Sequence, residues 1–149
     1  MKRFKHPQDY LTGNVKSVQL ADLHVPVRIG GDAALLKGVM KQLLALDAID
    51  RDFIASKTKA FEEFESELAT QEWQQIVNDS GIEREMIHKI AQMCADSKAT
   101  IACWAMGLTQ HKNGVAVIQE VVNLLLMGGH IGRCLLYTSP SPRDRTTSR

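Results

Sequence analysis

Two short glycine-bearing stretches hold the residue types best suited to gripping a ligand: Gly30-Gly31-Asp32 and Met106-Gly107-Leu108-Thr109-Gln110. Glycine lets the backbone come close to a bulky group because it has no Cβ. A carboxylate such as Asp32 can accept from the amino and imino groups of a guanine. A carboxamide such as Gln110 donates and accepts at once, which suits the amide-like edge of a pterin or a nucleotide. Each stretch also has a plainer reading. Gly-Gly-Asp before a helix is a tight turn with Asp32 as N-cap, and His111 beside Gln110 reads as a polar loop residue. His6, His24, His88 and His130 are scattered, and no pair has metal-ligand spacing. Cys94, Cys103 and Cys134 are odd in number with no close pair, so neither a disulfide framework nor a complete zinc or iron–sulfur ligand set is expected. Cys94 and Cys103 are expected to be small buried apolar residues. The run Glu62, Glu63, Glu65 and Glu67 points around a helix rather than converging, and reads as a solvated face.

The elements that must position these loops follow from periodicity. Residues 21–29 alternate and are rich in β-branched side chains, which predicts a short strand with Pro26 at an edge or at its start. Residues 33–46 then place Leu35, Leu36, Val39, Met40, Leu43 and Leu44 on one stripe, predicting a helix. The middle of the chain reads as helical, with a short turn over residues 50–55, Phe61, Phe64 and Leu68 on one face, and Trp73, Ile76 and Val77 anchoring another turn. Ile82, Met86, Ile90, Met93 and Cys94 form the next stripe. Residues 99–105 are apolar at nearly every position, as a strand buried on both faces would be. The helix over residues 115–127 is apolar nearly all round, hence expected to be buried, and Gly128-Gly129 ends it. Two strand–loop–helix units joined by helical crossovers imply an α/β fold: a helix-rich chain with a parallel, Rossmann-like layer. Ligands of such layers settle outside the carboxyl ends of the strands, where both glycine-bearing loops would lie.

The 149 residues suffice for one domain with a core. A hydrophobic fraction of 44% and a charged fraction of 23% are those of an ordinary globular chain, and a net charge of +1 suggests no nucleic-acid partner. The basic start Met1-Lys2-Arg3-Phe4-Lys5-His6 runs into Pro7 without an apolar segment, so it is no signal peptide. No stretch reaches the ~20 apolar residues of a membrane span; a cytoplasmic chain is expected. Composition changes after Arg133. Residues 134–149 hold two of the four prolines, have no period, and read as a disordered or non-native tail. Cys134 to Asp144 can be back-translated in frame to a string that resembles a transposon-type sequencing adapter. The tail carries a net charge of +2, which leaves residues 1–133, the expected partial domain, at −1.

Sequence identity of a more specific kind sits in the second loop and beyond it. The stretches Trp104-Ala105-Met106-Gly107-Leu108-Thr109-Gln110-His111, Ile118-Gln119-Glu120-Val121-Val122-Asn123-Leu124-Leu125-Leu126 and Gly129-His130-Ile131-Gly132-Arg133 resemble the formate dehydrogenase-like branch of the molybdopterin oxidoreductases. Phe4-Lys5-His6-Pro7-Gln8, residues 23–32 and Phe53-Ile54-Ala55 fit that branch in order, so the resemblance covers essentially residues 3–133. It implies a large α/β enzyme with a molybdenum ion held between two molybdopterin guanine dinucleotides, commonly with a 4Fe-4S cluster nearby. It places Gly30, Gly31, Asp32, Met106, Gly107 and Gln110 on the cofactor. The chemistry implied is formate-type two-electron oxidation, in which the protein positions and tunes a cofactor that performs the hard step.

The departures matter as much. The metal-ligating cysteine, selenocysteine or serine of the family would lie upstream and has no counterpart here, so no catalytic residue is expected in this chain. Where relatives continue Gly-Arg with proline, Cys134 follows Arg133. The chain is thus expected to be an internal fragment, itself inactive, whose partners are the rest of the parent polypeptide and a small substrate such as formate. A rival reading is a stand-alone helical adaptor docking through the helix over residues 115–127. An independent nucleotide-binding domain is disfavoured, since there is no Gly-x-Gly-x-x-Gly or Walker-type run.

Overall fold

Helix α1, Asp32–Ala45, is the element around which the others pack. The computed structural model describes residues 18–132 and the two-residue segment Arg3–Phe4. The stripe expected from the sequence faces inward on α1: Val39, Met40 and Leu43 are buried, with Leu35, Leu36 and Leu44 half-buried against the same core. The helix stops without a glycine. Asp47 takes the left-handed position at φ +50°, one that Asp tolerates better than most side chains. Its amide then donates to Leu44 O at 3.0 Å, and that of Ala48 donates to Leu43 O at 3.0 Å.

Five further helices follow in order: α2 (Arg51–Lys57), α3 (Phe61–Thr70), α4 (Trp73–Ser80), α5 (Arg84–Ala95) and α6 (Met106–Thr109), before α7 (Gly114–Met127). Asp50 starts α2 by accepting from the Phe53 amide at 2.9 Å, the cap that its carboxylate is suited to make. Gly81, at φ +70°, closes α4. Leu68 of α3, Ile76 of α4, Ile82, Ile87 and Ala91 of α5 and its approach, and Met127 of α7 complete the core around α1. Burial of each large member is worth about 1.5–3 kcal/mol.

On α5 the stripe is turned from the expected one. Ile87 and Ala91 are fully buried while Met93 is exposed. The cause lies on α1, where Gly38 offers no side chain: a Cβ there would lie 2.8 Å from Ile76 Cγ2 and 3.3 Å from the Ile87 side chain. The line of closest approach therefore runs through Ile87, and the bulkier stripe is left at the flank.

The expected α/β arrangement with a parallel, Rossmann-like layer is not formed among the described residues. Among the described residues the sole ladder is a two-residue antiparallel pair, β1 (Arg3–Phe4) with β2 (Val18–Gln19), in the register Arg3↔Gln19 and Phe4↔Val18. Residues 21–29 and 99–105 join no sheet there; the first ends in a turn at Ile29 and Gly30. In the first of these the alternation holds as far as Val27, and Ile29 breaks it at 92% exposure. Leu23, Val25 and Val27 are turned inward, and Val25 packs on the helical core directly, so its apolar face is satisfied without a neighbouring strand. Helix α7 is likewise not buried all round. Val117, Val121 and Met127 are buried, but Val115 and Ala116 at its start are exposed. No helix among the described residues is long and apolar enough to cross a membrane. The readings of residues 5–8 and of the tail lie outside the described residues.

Candidate functional site

The relative direction of α1 and α7 decides whether the two glycine-bearing loops can act together. Lys37, five residues into α1, pairs with Glu120, six residues into α7, at 3.7 Å. Beyond the other ends, the Asp50 amide donates to the carbonyl of Met127, the last residue of α7, at 2.8 Å. The two helices therefore lie side by side and run the same way. At 1.5 Å per residue both begin about 8–9 Å from the level of the Lys37–Glu120 pair. Gly30, Gly31 and Asp32 and the Met106–Thr109 turn with Gln110 are thus at one end of the molecule. Lys37 also reaches Glu67 of α3 at 3.3 Å, so one ammonium ties three helices. Glu67 is largely exposed, and a pair of that kind contributes ~0–1 kcal/mol.

The first loop is clamped from behind. Arg28 N donates to Ser80 O at 2.9 Å, Gly31 N donates to Arg28 O at 2.8 Å, and the Arg28 guanidinium donates to the Asn78 carbonyl. Ser80 is fully buried. Its hydroxyl donates to Ile76 O at 2.6 Å and accepts from the Ile82 amide at 3.2 Å. Gly31 is buried against this corner, and a Cβ on it would stand 2.5 Å from Asp79 O. Gly30 is exposed at φ +81°, with nothing within 4 Å of where a Cβ would be. Asp32 is not the N-cap that the sequence suggests. Gly31 occupies that position without a side-chain bond, and Asp32 is the half-buried first residue of α1. Sequence reasoning missed Arg28 and Ser80; a serine one residue before a helix-closing glycine is too common a pattern to single out.

The second loop contains a single helical turn, α6, that the sequence did not suggest. Gln110 N donates to Met106 O at 3.1 Å, and its carboxamide touches Met106 Sδ at 3.5 Å. Met106, Gly107 and Gln110 are all exposed, and a Cβ on Gly107 would meet nothing within 4 Å. Gly114 is different. It is buried where α6 meets α7, and a Cβ there would lie 2.8 Å from Leu108 O. His111 is an exposed loop residue, as expected.

The opposite end holds a cavity of about 490 Å³, lined in part by Asp47, Asp50, Asp52, Cys94, Ser97 and His130. Arg51 there donates to Asp47 at 2.8 and 3.1 Å, and that hydrogen bond and charge raise the guanidinium pKa. No group of three or more His, Cys, Asp or Glu able to hold a metal ion occurs among the described residues. Cys94 is half-buried, and burial pushes its thiol pKa up. Cys103, expected to be buried, is exposed because residues 99–105 are uncovered. At pH 8 Cys103 is expected to alkylate with iodoacetamide at least about tenfold faster than Cys94, since the thiolate is the nucleophile. Peptide-level mass spectrometry checks this; equal rates would contradict the burial difference.

No family model matches the chain. Among individual proteins, it is 38% identical over 146 residues to protein YdeP of Escherichia coli strain K12, covering 89% of this chain and 19% of YdeP. Formate dehydrogenase H of the same organism is 26% identical over 119 residues, covering 80% of this chain and 17% of that protein. Among solved structures, acetylene hydratase from Pelobacter acetylenicus matches with a TM-score of 0.70 at 24% identity, over 84% of this chain and 19% of that one, a likeness of fold. The chain spans less than a fifth of the length of each of these relatives.

Proposed function

We propose that this chain, a relative of the molybdopterin oxidoreductases, is the stretch of a formate dehydrogenase-like enzyme that presents two loops to a molybdopterin guanine dinucleotide. The observation that carries this reading is the parallel pairing of α1 and α7, which puts Gly30, Gly31 and Asp32 at the same end as Met106, Gly107 and Gln110. The local chemistry fits such a group. Gly30 and Gly107 leave open space where side chains would stand, and the Gln110 carboxamide is exposed beside Gly107. In this role Gln110 donates to and accepts from the amide-like edge of the ligand, Asp32 accepts from its amino groups, and Gly30 and Gly107 admit its bulk. Gly31 and Ser80 hold the first loop in place from behind.

When bound, the cofactor supplies two-electron chemistry at molybdenum; this chain binds and orients it and contributes no catalytic residue. The longer enzyme, in this reading, takes formate or a similarly small substrate, carries a 4Fe-4S cluster ligated elsewhere, and works in the cytoplasm. Residues 1–133 are part of its cofactor-binding domain, residues 134–149 are foreign to it, and the chain alone is inactive.

The test is a chimaera in which this stretch replaces the aligned residues of YdeP, assayed for molybdenum and for guanine nucleotide released by acid. Gln110→Ala is expected to lower both contents about two- to tenfold, the net worth of one or two hydrogen bonds, with an unchanged far-UV spectrum. A folded chimaera whose cofactor content ignores Gln110→Ala, Gly107→Val and Gly30→Val alike would sink the reading.

A further inference from the structure

We infer, building on the reading just given of the chain as part of a longer oxidoreductase, that residues 99–105 and the start of α7 form the face on which the remaining polypeptide of that enzyme docks. Residues 99–105 carry no charge and are apolar at nearly every position, a composition that calls for burial on both sides. In the structure Thr100 and Ala102 are half-buried while the other side is open: Ile101 is 85% exposed and Trp104 43%. Val115, at the start of α7, is 75% exposed. Large apolar side chains exposed singly are unremarkable, but a run of them within fifteen residues marks an interaction surface.

The backbone points the same way. From Ile101 to Trp104 no amide or carbonyl takes part in a hydrogen bond among the described residues. Yet the segment is held at both ends. Ser97 Oγ donates to Ala99 O at 2.9 Å on one side, and Leu108 N donates to Ala105 O at 3.1 Å on the other. It is presented between two anchored turns with no backbone partner among the described residues.

The occupant is set by length and chemistry. The chain spans less than a fifth of each relative, so more than four-fifths of such a polypeptide remains to meet it. An uncharged face selects an apolar segment with free backbone groups rather than a charged partner. Ile101, Trp104 and Val115 belong to this face and not to the cofactor loops.

Hydrogen exchange in the YdeP chimaera, compared with the 149-residue chain alone, tests the assignment. Amides of residues 101–104 are expected to exchange freely in the isolated chain and at least about 100-fold more slowly in the chimaera. Ile101→Glu combined with Trp104→Glu is expected to restore fast exchange and tryptic sensitivity at this segment in the chimaera. In the isolated chain Ile101→Glu alone should leave the far-UV spectrum and melting temperature unchanged, because Ile101 is 85% exposed there. Equal exchange in the two contexts overturns the inference, as does a chimaera that leaves the segment open for any reason. A stable dimer of the isolated chain that the double substitution disrupts would assign the face to a second copy and overturn it as well. The two readings separate cleanly: Gln110→Ala removes cofactor and keeps the segment protected, whereas failure of protection with cofactor retained sinks the docking face alone.

Discussion

Met40→Ala is expected to lower the unfolding free energy by about 2–5 kcal/mol, the cost of deleting a fully buried side chain whose surroundings collapse only in part. Met40 is 0% exposed at the middle of α1, in the cluster shared with Leu68 of α3, Ile76 of α4, Ile87 of α5 and Met127 of α7. Whole domains are stable by about 5–15 kcal/mol, so the loss is a large share of the total. Urea unfolding followed at 222 nm measures it. Met40→Leu, nearly equal in volume, should cost less than about 1.5 kcal/mol. A loss below about 1 kcal/mol for the alanine variant would mean that α1 is not the centre on which the other helices pack.

Gly31→Val is expected to destabilise by about 1–3 kcal/mol or more, for a reason unlike that at its neighbour. The first atom of a side chain there would stand 2.5 Å from Asp79 O, 2.8 Å from Ser80 Cα and 3.1 Å from Arg28 O. All three are backbone atoms and cannot swing aside, so the loop itself must lift from the end of α4. The readout is loss of amide protection at Arg28 and Ile82, the residues bonded to Ser80. At Gly30 nothing obstructs a Cβ, and Gly30→Ala pays only for φ +81°, about 1–2 kcal/mol. If Gly31→Val keeps both amides protected, the clamp behind the first loop is not what fixes it.

Much of the helical order was readable because apolar spacing on a helix directly encodes which face is covered. The inward stripe of α1, the Asp50 start of α2, the Phe61–Phe64–Leu68 face and the glycine stop of α7 all followed from local chemistry. The failures have a common cause in contacts between distant residues. Alternation over residues 21–29 persists in the half-buried Leu23, Val25 and Val27 but not at Ile29, and period two says nothing about whether a neighbouring strand exists; here Val25 packs on helices. The apolar run at 99–105 spoke of burial that the described residues do not provide. On α5 the choice between two adjacent stripes was made by Gly38, forty-nine residues before Ile87. The cap position shifted from Asp32 to Gly31 because Gly31 already sits at φ −85°, ψ 2°, so the chain enters the helix one residue early. The loops nominated from residue type share an end, although the sheet that was to bring them there is absent among the described residues. The cavity at the far end has no signature in the sequence, since its walls come from α2, α5 and the turn after α7.

Helices α1 and α7 run the same way, and α5 joins them: Ile87 meets the Gly38 level while Cys94 and Ala95 line the cavity with residues 47–52. Each helix carries about half a positive charge at its start and half a negative one at its finish. None of the three has a basic residue in its last turn to cancel the negative end, and Asp50 and Asp52 lie beyond those finishes. Three negative helix ends and the carboxylates of Asp50 and Asp52 therefore gather at the end away from Gly30 and Gln110, with the Arg51 guanidinium among them.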